Sequence, residues 1–385
     1  MKIYNSHSHF GVEIDRGKMS LKYLFNKSYV GWQNELKSES QEDIKAYFDK
    51  NIHMKAFFQL KKTLEKLYGE GLTLNEKTWH TFDERLKSAY NNLGYENNLL
   101  RNICGYEKIL LDDYIKIRSD GSNGVICDVA LRCDFMFYGY SYESLMSSEA
   151  EPFEFFEEIP DNIEDYTRKI KEYIKESYEK GKCTAIKVCM AYFRDIAFRE
   201  SKKDKAQLVY KEPKNQLYVK YFQDYVMDQI CLIAEEFNIP IQMHTGLGQI
   251  YGTSPINILS LVKRHEKNNF ALLHGGFPWT DDLLAVLYDS PNTYLDVCWM
   301  PILSSKISLN TLINTLELIG SDRILWGCDT AIAEESYGSL LASLEILDEV
   351  EEHFISKGVF KKEDNQNLKE KILYKNAVKL FGNSN

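Results

Sequence analysis

Apolar and polar positions fall into two textures along the chain. Between about Gly11 and Tyr106 the pattern is helical. The stretch SQEDIKAYFDKNIHMKAFFQLKKTLEKLYGEG places apolar residues three and four apart between charges. Ser40 with Asp43 behind it forms a helix-start signal. NEKTWHTFDERLKSAYNNLG reads as a second amphipathic helix ending at Gly94. From about Lys108 onward, short β-prone apolar runs alternate with helical stretches. The runs are KILLDD (108–113), GVICDVALR (124–132), TAIKVCMAY (184–192), IPIQMHTG (239–246), FALLHGG (270–276), TYLDVCWM (293–300) and RILWGCDT (323–330). EDYTRKIKEYIKESYEKGK and VMDQICLIAEEFN are helical stretches between them. Strands buried on both faces read as continuous apolar runs, and alternation with helices predicts a parallel sheet. With KIYNSHSH at the start, the runs number eight. That predicts an α/β fold, a (β/α)8 barrel rather than an open doubly wound sheet. Residues 1–10 and 107–385 would form the barrel, and 11–106 a helical insertion after the first strand, on the side of the active-site loops.

Four of these runs end in residues that bind metals. KIYNSHSH ends in His7 and His9, IPIQMH in His244, FALLH in His274 and RILWGCD in Asp329. Parallel barrel strands converge at their C-terminal ends, so these side chains would meet at one mouth. Strand side chains repeat every two residues, so His7 and His9 face the same way. Imidazole and carboxylate together suit a divalent ion such as Zn²⁺, Mn²⁺ or Fe²⁺. A lone H-x-H, or one His closing a strand, is ordinarily a packing residue; the four together are hard to explain by packing. His53, His80, His265 and His353 lie in polar or helical segments and receive the packing reading.

Composition narrows the function classes. With 57 acidic against 47 basic residues the net charge is -10, which disfavours a nucleic-acid binder. No run approaches the roughly 18 to 20 apolar residues that span a bilayer. The start MKIYNSHSHFG does not read as a secretory signal. Eight Cys without a C-x-x-C pair predict a reduced, cytoplasmic protein. A homodimer is the default expectation for its assembly.

HSHF, MHTG, LHGG and WGCDT, in this order over eight strand-like runs, resemble the amidohydrolase superfamily, in particular its amidohydrolase-2 group. The terminal KILYKNAVKLFG resembles that group's closing helix. The resemblance implies a metal-dependent TIM-barrel hydrolase with one or two divalent ions, zinc foremost, acting on a small molecule. It implies that His7 and His9 hold the more buried metal. Asp329 would complete that site and accept a proton from the attacking water. His244 and His274 would hold a second metal, or serve as one ligand and one group polarising the substrate. Lys187, in the apolar run TAIKVCMAY, is costly to bury alone. It pairs with Asp128 or Asp329, or binds substrate as a cation, or is carbamylated by carbon dioxide into an anionic bridge between two metals. Arg194, Trp299, Arg132 and Tyr192 lie just beyond strands and are candidates for substrate binding; each is equally well placed for an ion pair or packing. HTGLGQIYG lacks phosphate-loop spacing and reads as an active-site loop. The aromatics Tyr29, Trp32, Tyr47, Phe57, Phe58 and Trp79 are expected to pack the insertion against the barrel.

The same residues admit a metal-dependent decarboxylase, another lyase or a uronate-type isomerase acting on a carboxylated substrate. A non-catalytic barrel serving as a binding module is a third reading; the filled ligand positions disfavour it.

Overall fold

A computed structural model describes residues 1–10, 15–112, 127–147, 158–361 and 365–382. Eight parallel strands follow one another in chain order: β1 (Ile3–Ser8), β2 (Tyr106–Leu111), β3 (Cys127–Arg132), β4 (Ala185–Val188), β5 (Ile241–Met243), β6 (Phe270–Leu272), β7 (Thr293–Asp296) and β8 (Ile324–Leu325). Each pairs with the next. The β8–β1 seam is spanned by backbone hydrogen bonds from Ser6 N to the Trp326 carbonyl (3.0 Å) and from Asp329 N to the His7 carbonyl (2.9 Å). Gly327 permits this approach, since a Cβ there would lie 2.7 Å from the His7 amide nitrogen. The chain is an α/β protein with a (β/α)8 barrel.

Most strands end before the apolar runs that carry them do. His9, His244, His274 and Asp329 therefore stand at the strand mouth and not within the ladder. At the opposite end, Tyr4, Leu110, Ala130, Ala185, Ala271 and Leu325 pack with Leu380 and Phe381 of the last helix. Small alanines on three strands leave room for that plug. Asn376 fastens the helix by donating to the carbonyls of Ser321 (2.7 Å) and Ile324 (2.8 Å).

The segment between β1 and β2 is helical: α1 (Leu21–Lys27), α2 (Gln41–Asn51), α3 (Lys55–Tyr68) and α4 (Trp79–Tyr90) lead. Ser40 caps α2, its hydroxyl accepting from Asp43 N at 3.1 Å. The first periodic stretch is two helices, broken at Ile52–Met54. The expectation that the six aromatics pack on the barrel needs correction. Tyr47, Phe57 and Trp79 join Phe25, Phe48 and Phe82 in a core of the insertion's own, which Ile332 enters from the barrel side with Ala331 packed beside it. Trp32 and Phe58 are exposed, at 70% and 49%, and Tyr29 turns to the barrel mouth. The periodicity identified the buried face of each helix but not the partner it is buried against.

The insertion is tied down chiefly through one acid. Glu334, fully buried in the first turn of the helix Ala333–Ser356, accepts from the hydroxyls of Tyr68 (2.7 Å), Tyr90 (2.9 Å) and Tyr95 (3.0 Å). Three donors offset the cost of burying a carboxylate. Among the described residues no helix is long and apolar enough to cross a membrane.

Candidate metal centre

The strand ends bring the predicted ligands together. His7 is the penultimate residue of β1 and His9 follows the strand; their rings stand edge to face, centroids 4.9 Å apart. The Nε2 atoms of both lie 3.1 Å from Asp329 Oδ1. His274, just past β6, brings Nδ1 to 3.4 Å from Asp329 Oδ2 and Nε2 to 2.9 Å from His244 Nδ1. His244, just past β5, holds its Nε2 2.5 Å from the Leu247 carbonyl. One carboxylate thus meets three imidazoles, and a fourth imidazole lies behind them.

The backbone is strained where these groups converge. Among the described residues five non-glycine residues have positive φ; three are His274 (64°), Trp299 (67°) and Asp329 (55°). Each such conformation costs on the order of 1–3 kcal/mol and persists only where surrounding structure enforces it. Their grouping at one mouth marks that mouth as the functional end.

Electrostatics favour neutral rings and an ionised acid. Burial, reinforced by the Lys187 charge, lowers His7 to about 4 and His244 to about 3. Burial also holds His274 well below the ordinary imidazole value. Burial would raise Asp329, but His274, His7 and His9 outweigh it and hold the carboxyl well below its usual range. His9 runs the other way: the hydrogen bond to Asp329 and the nearby Asp112 overcome burial and raise it. Uncharged imidazoles and a carboxylate are the forms that bind metals.

Lys187 on β4 is fully buried, its Nζ 3.4 Å from His7 Nε2 and 3.8 Å from Asp112 Oδ2. Its acidic partner is therefore neither Asp128 nor Asp329. Asp128 lies at the other end of the barrel, bonded to Tyr4 and Lys108. Asp112, just beyond β2, was not foreseen. Neither of its oxygens accepts a hydrogen bond among the described residues; it is held by charge, with Arg132 Nη1 at 3.6 Å on its other side. Burial would raise Asp112, yet Arg132 and Lys187 keep it lowered. Arg132, ending β3, also binds Asp134 through Nε at 2.6 Å.

The remaining sequence candidates divide. Trp299 stands over the centre, its ring centroid 6.2 Å from His274 and 5.8 Å from Tyr29. Tyr192 is 47% exposed and lies 4.5 Å from the His244 ring, so both rings border the centre. Arg194 is turned aside: its guanidinium binds Asp224 (2.8 Å), Gln223 (3.2 Å) and the Asp195 carbonyl (3.0 Å). His265 bonds Asp228 at 2.8 Å, and His53 and His80 are exposed.

Three further groups at the centre escaped the sequence reading. The Tyr29 hydroxyl bonds Asp329 Oδ2 (2.8 Å) and its carbonyl (2.7 Å), while the Tyr29 amide donates to Glu335 Oε1 (2.8 Å). Cys298 Sγ lies 3.3 Å from His274 Nδ1. Asp296 Oδ1 accepts from the Cys298 amide at 2.9 Å and Oδ2 from the Ser6 hydroxyl at 2.5 Å; burial outweighs these bonds and lifts it to about 6. Asp296 carried a signal, a carboxylate inside an apolar run. Tyr29 and Cys298 carried none.

The donors fit a divalent ion. Those of His7, His9 and Asp329 all lie within 4.8 Å of one another, as do those of His274, Cys298 and Asp329.

Residues 211–382 match the family model Amidohydro_2, described as amidohydrolase. Protein fluG of Emericella nidulans is 30% identical over 154 residues, which cover 37% of this chain and only 17% of that protein. A uronate isomerase from Thermotoga maritima has a similar fold, with a TM-score of 0.74 and 14% identity, covering 99% of this chain and 94% of that one. A metal-dependent hydrolase candidate from Lactobacillus casei ATCC 334 superposes with a TM-score of 0.70 at 16% identity, covering 99% and 95%.

Proposed function

We propose, from the premise that residues 211–382 belong to the amidohydrolase family, that the protein is a metal-dependent hydrolase of small molecules. Its substrate would be an ester, lactone, amide or phosphoester. The observation that carries this reading is the single carboxylate Asp329 met by His7, His9 and His274 at 3.1 to 3.4 Å. His7, His9 and Asp329 would hold a divalent ion, zinc being the best match to two imidazoles and a carboxylate. When bound, such an ion makes water acidic enough to supply hydroxide near neutral pH and polarises a substrate oxygen.

The chain's own groups would supply the rest. Asp329, ionised and oriented by Tyr29, takes a proton from the attacking water and passes it to the leaving group. Trp299 and Tyr192 would flank the substrate, while buried Lys187 and partly buried Arg132 provide positive charge. Carboxylation of Lys187 by carbon dioxide would make it an additional ligand. His244 and His274 would hold a second ion or polarise the substrate. No disulfide joins the cysteines among the described residues, which supports a reducing, cytoplasmic setting.

The test is Asp329→Asn. Removing a general base typically costs 10²–10⁴-fold in rate, so turnover on an identified substrate should fall by roughly that much while the circular dichroism spectrum stays unchanged. Near wild-type turnover would remove Asp329 from its assigned role. Lys187 beside His7, with Arg132 on the far side of Asp112, favours one second reading, a metal-dependent lyase or uronate-type isomerase whose substrate carboxylate those cations would clamp. Product analysis separates the two, since only hydrolysis incorporates oxygen from labelled water into a cleaved product.

A further inference from the structure

Cys298 faces the centre without a role in the reaction just described. It follows β7, is fully buried, and its Sγ lies 3.3 Å from His274 Nδ1. The hydrogen-bond chain behind His274 fixes which nitrogen points where. The Leu247 carbonyl can only accept, so the His244 Nε2 that faces it at 2.5 Å carries the proton. In the neutral ring, His244 Nδ1 is then an acceptor, and His274 Nε2, 2.9 Å away, donates to it. His274 Nδ1 is left as a lone pair. It points toward Cys298 Sγ and toward Asp329 Oδ2, 3.4 Å off, and away from His244 and Lys187.

These spacings match the edges of a metal tetrahedron. Zinc bonds of about 2.0–2.2 Å to nitrogen and oxygen and about 2.3 Å to sulfur give an N···S edge of roughly 3.5 Å and an N···O edge of roughly 3.4 Å. The observed 3.3 and 3.4 Å lie close to both. Asp329 Oδ1 is engaged with His7 and His9, so the carboxylate can bridge. Oδ2 also accepts from Tyr29 at 2.8 Å, and its second lone pair remains for an ion.

We propose that His274 Nδ1, Cys298 Sγ and Asp329 Oδ2 form a second metal subsite, bridged by Asp329 to the ion of His7 and His9. This rests on the metal-centre reading above and places the second ion against a cysteine. On binding, the Cys298 thiol gives its proton to solvent and the sulfur becomes a thiolate ligand; no electron is transferred. A thiolate selects Zn²⁺, Co²⁺ or Cd²⁺ over Mg²⁺ and Mn²⁺.

Cobalt titration of the chelator-stripped protein tests it. The wild type should take up two equivalents, the second appearing with a near-ultraviolet thiolate-to-cobalt charge-transfer band. Cys298→Ser should lose that band and one equivalent while keeping the other. A wild type that binds cobalt without the band, or a Cys298→Ser protein that keeps two equivalents, overturns the subsite and leaves the His7/His9/Asp329 centre standing. No cobalt uptake by the wild type overturns the centre itself. X-ray absorption of the zinc-loaded wild type needs no variant: a sulfur neighbour supports the subsite, and a shell of nitrogen and oxygen alone refutes it.

Discussion

Acidifying the metal-free protein should destabilise it through two imidazoles that the fold keeps neutral. His7 and His244 are lowered from 6.5 to about 4 and about 3, first by burial and then by Lys187. Above 6.5 both are neutral whether the chain is folded or not, so they contribute no pH dependence. Below 6.5 the unfolded chain takes up a proton at each position and the folded protein does not. Stability must therefore fall as pH falls, down to the folded values. A pH of about 5 lies roughly 1.5 units below the unfolded value of each group, which at about 1.4 kcal/mol per unit is about 2 kcal/mol each and about 4 kcal/mol together. His274 adds in the same direction, and His9, raised by Asp329 and Asp112, acts in the opposite one. The comparison must therefore isolate the pair. Urea unfolding in the presence of a chelator, at about pH 7 and about pH 5, should be run on the wild type and on a His7→Asn/His244→Asn double variant. The wild type should lose roughly 4 kcal/mol more than the variant over this interval. Equal losses would mean that the two rings are not held neutral, and that the centre is wetter or more open than the structure shows.

Two further outcomes follow from named contacts. Tyr29→Phe removes a hydrogen bond to a charged carboxylate, worth about 1.5–3 kcal/mol; turnover should drop by roughly tenfold or more with unchanged melting temperature, and undiminished turnover would remove Tyr29 from the orientation of Asp329. Glu334→Ala strands the hydroxyls of Tyr68, Tyr90 and Tyr95; it should cost about 3 kcal/mol or more and open residues 15–105 to limited proteolysis, and an unchanged cleavage pattern would show that the insertion is held elsewhere.

Much of the centre was legible from sequence because strands obey a period of two and barrels have one mouth. An imidazole or carboxylate closing an apolar run must stand at that mouth, which fixed the locations of His7, His9, His244, His274 and Asp329 before any contact was known. The eight runs themselves predicted the barrel, since most are too apolar for an exposed strand and most are separated from the next by a helical stretch. Pattern could not say who meets whom across the mouth. Arg194 follows Tyr192 by only two residues, yet a turn of the chain delivers it to Asp224 and not to the centre. Lys187 was bound to need an acid, and only barrel closure chose Asp112 over Asp128, which sits on the next strand at the wrong end. Tyr29 lies in a helical insertion whose period orders its own core, and only its path over the rim carries that hydroxyl to Asp329. Cys298 reads in sequence as one more small apolar residue; the left-handed backbone at His274 and Trp299 is what turns a lone pair and a sulfur toward each other. Local periodicity determines which face a side chain occupies, while distances between strands far apart in sequence are set by the packing of the whole barrel.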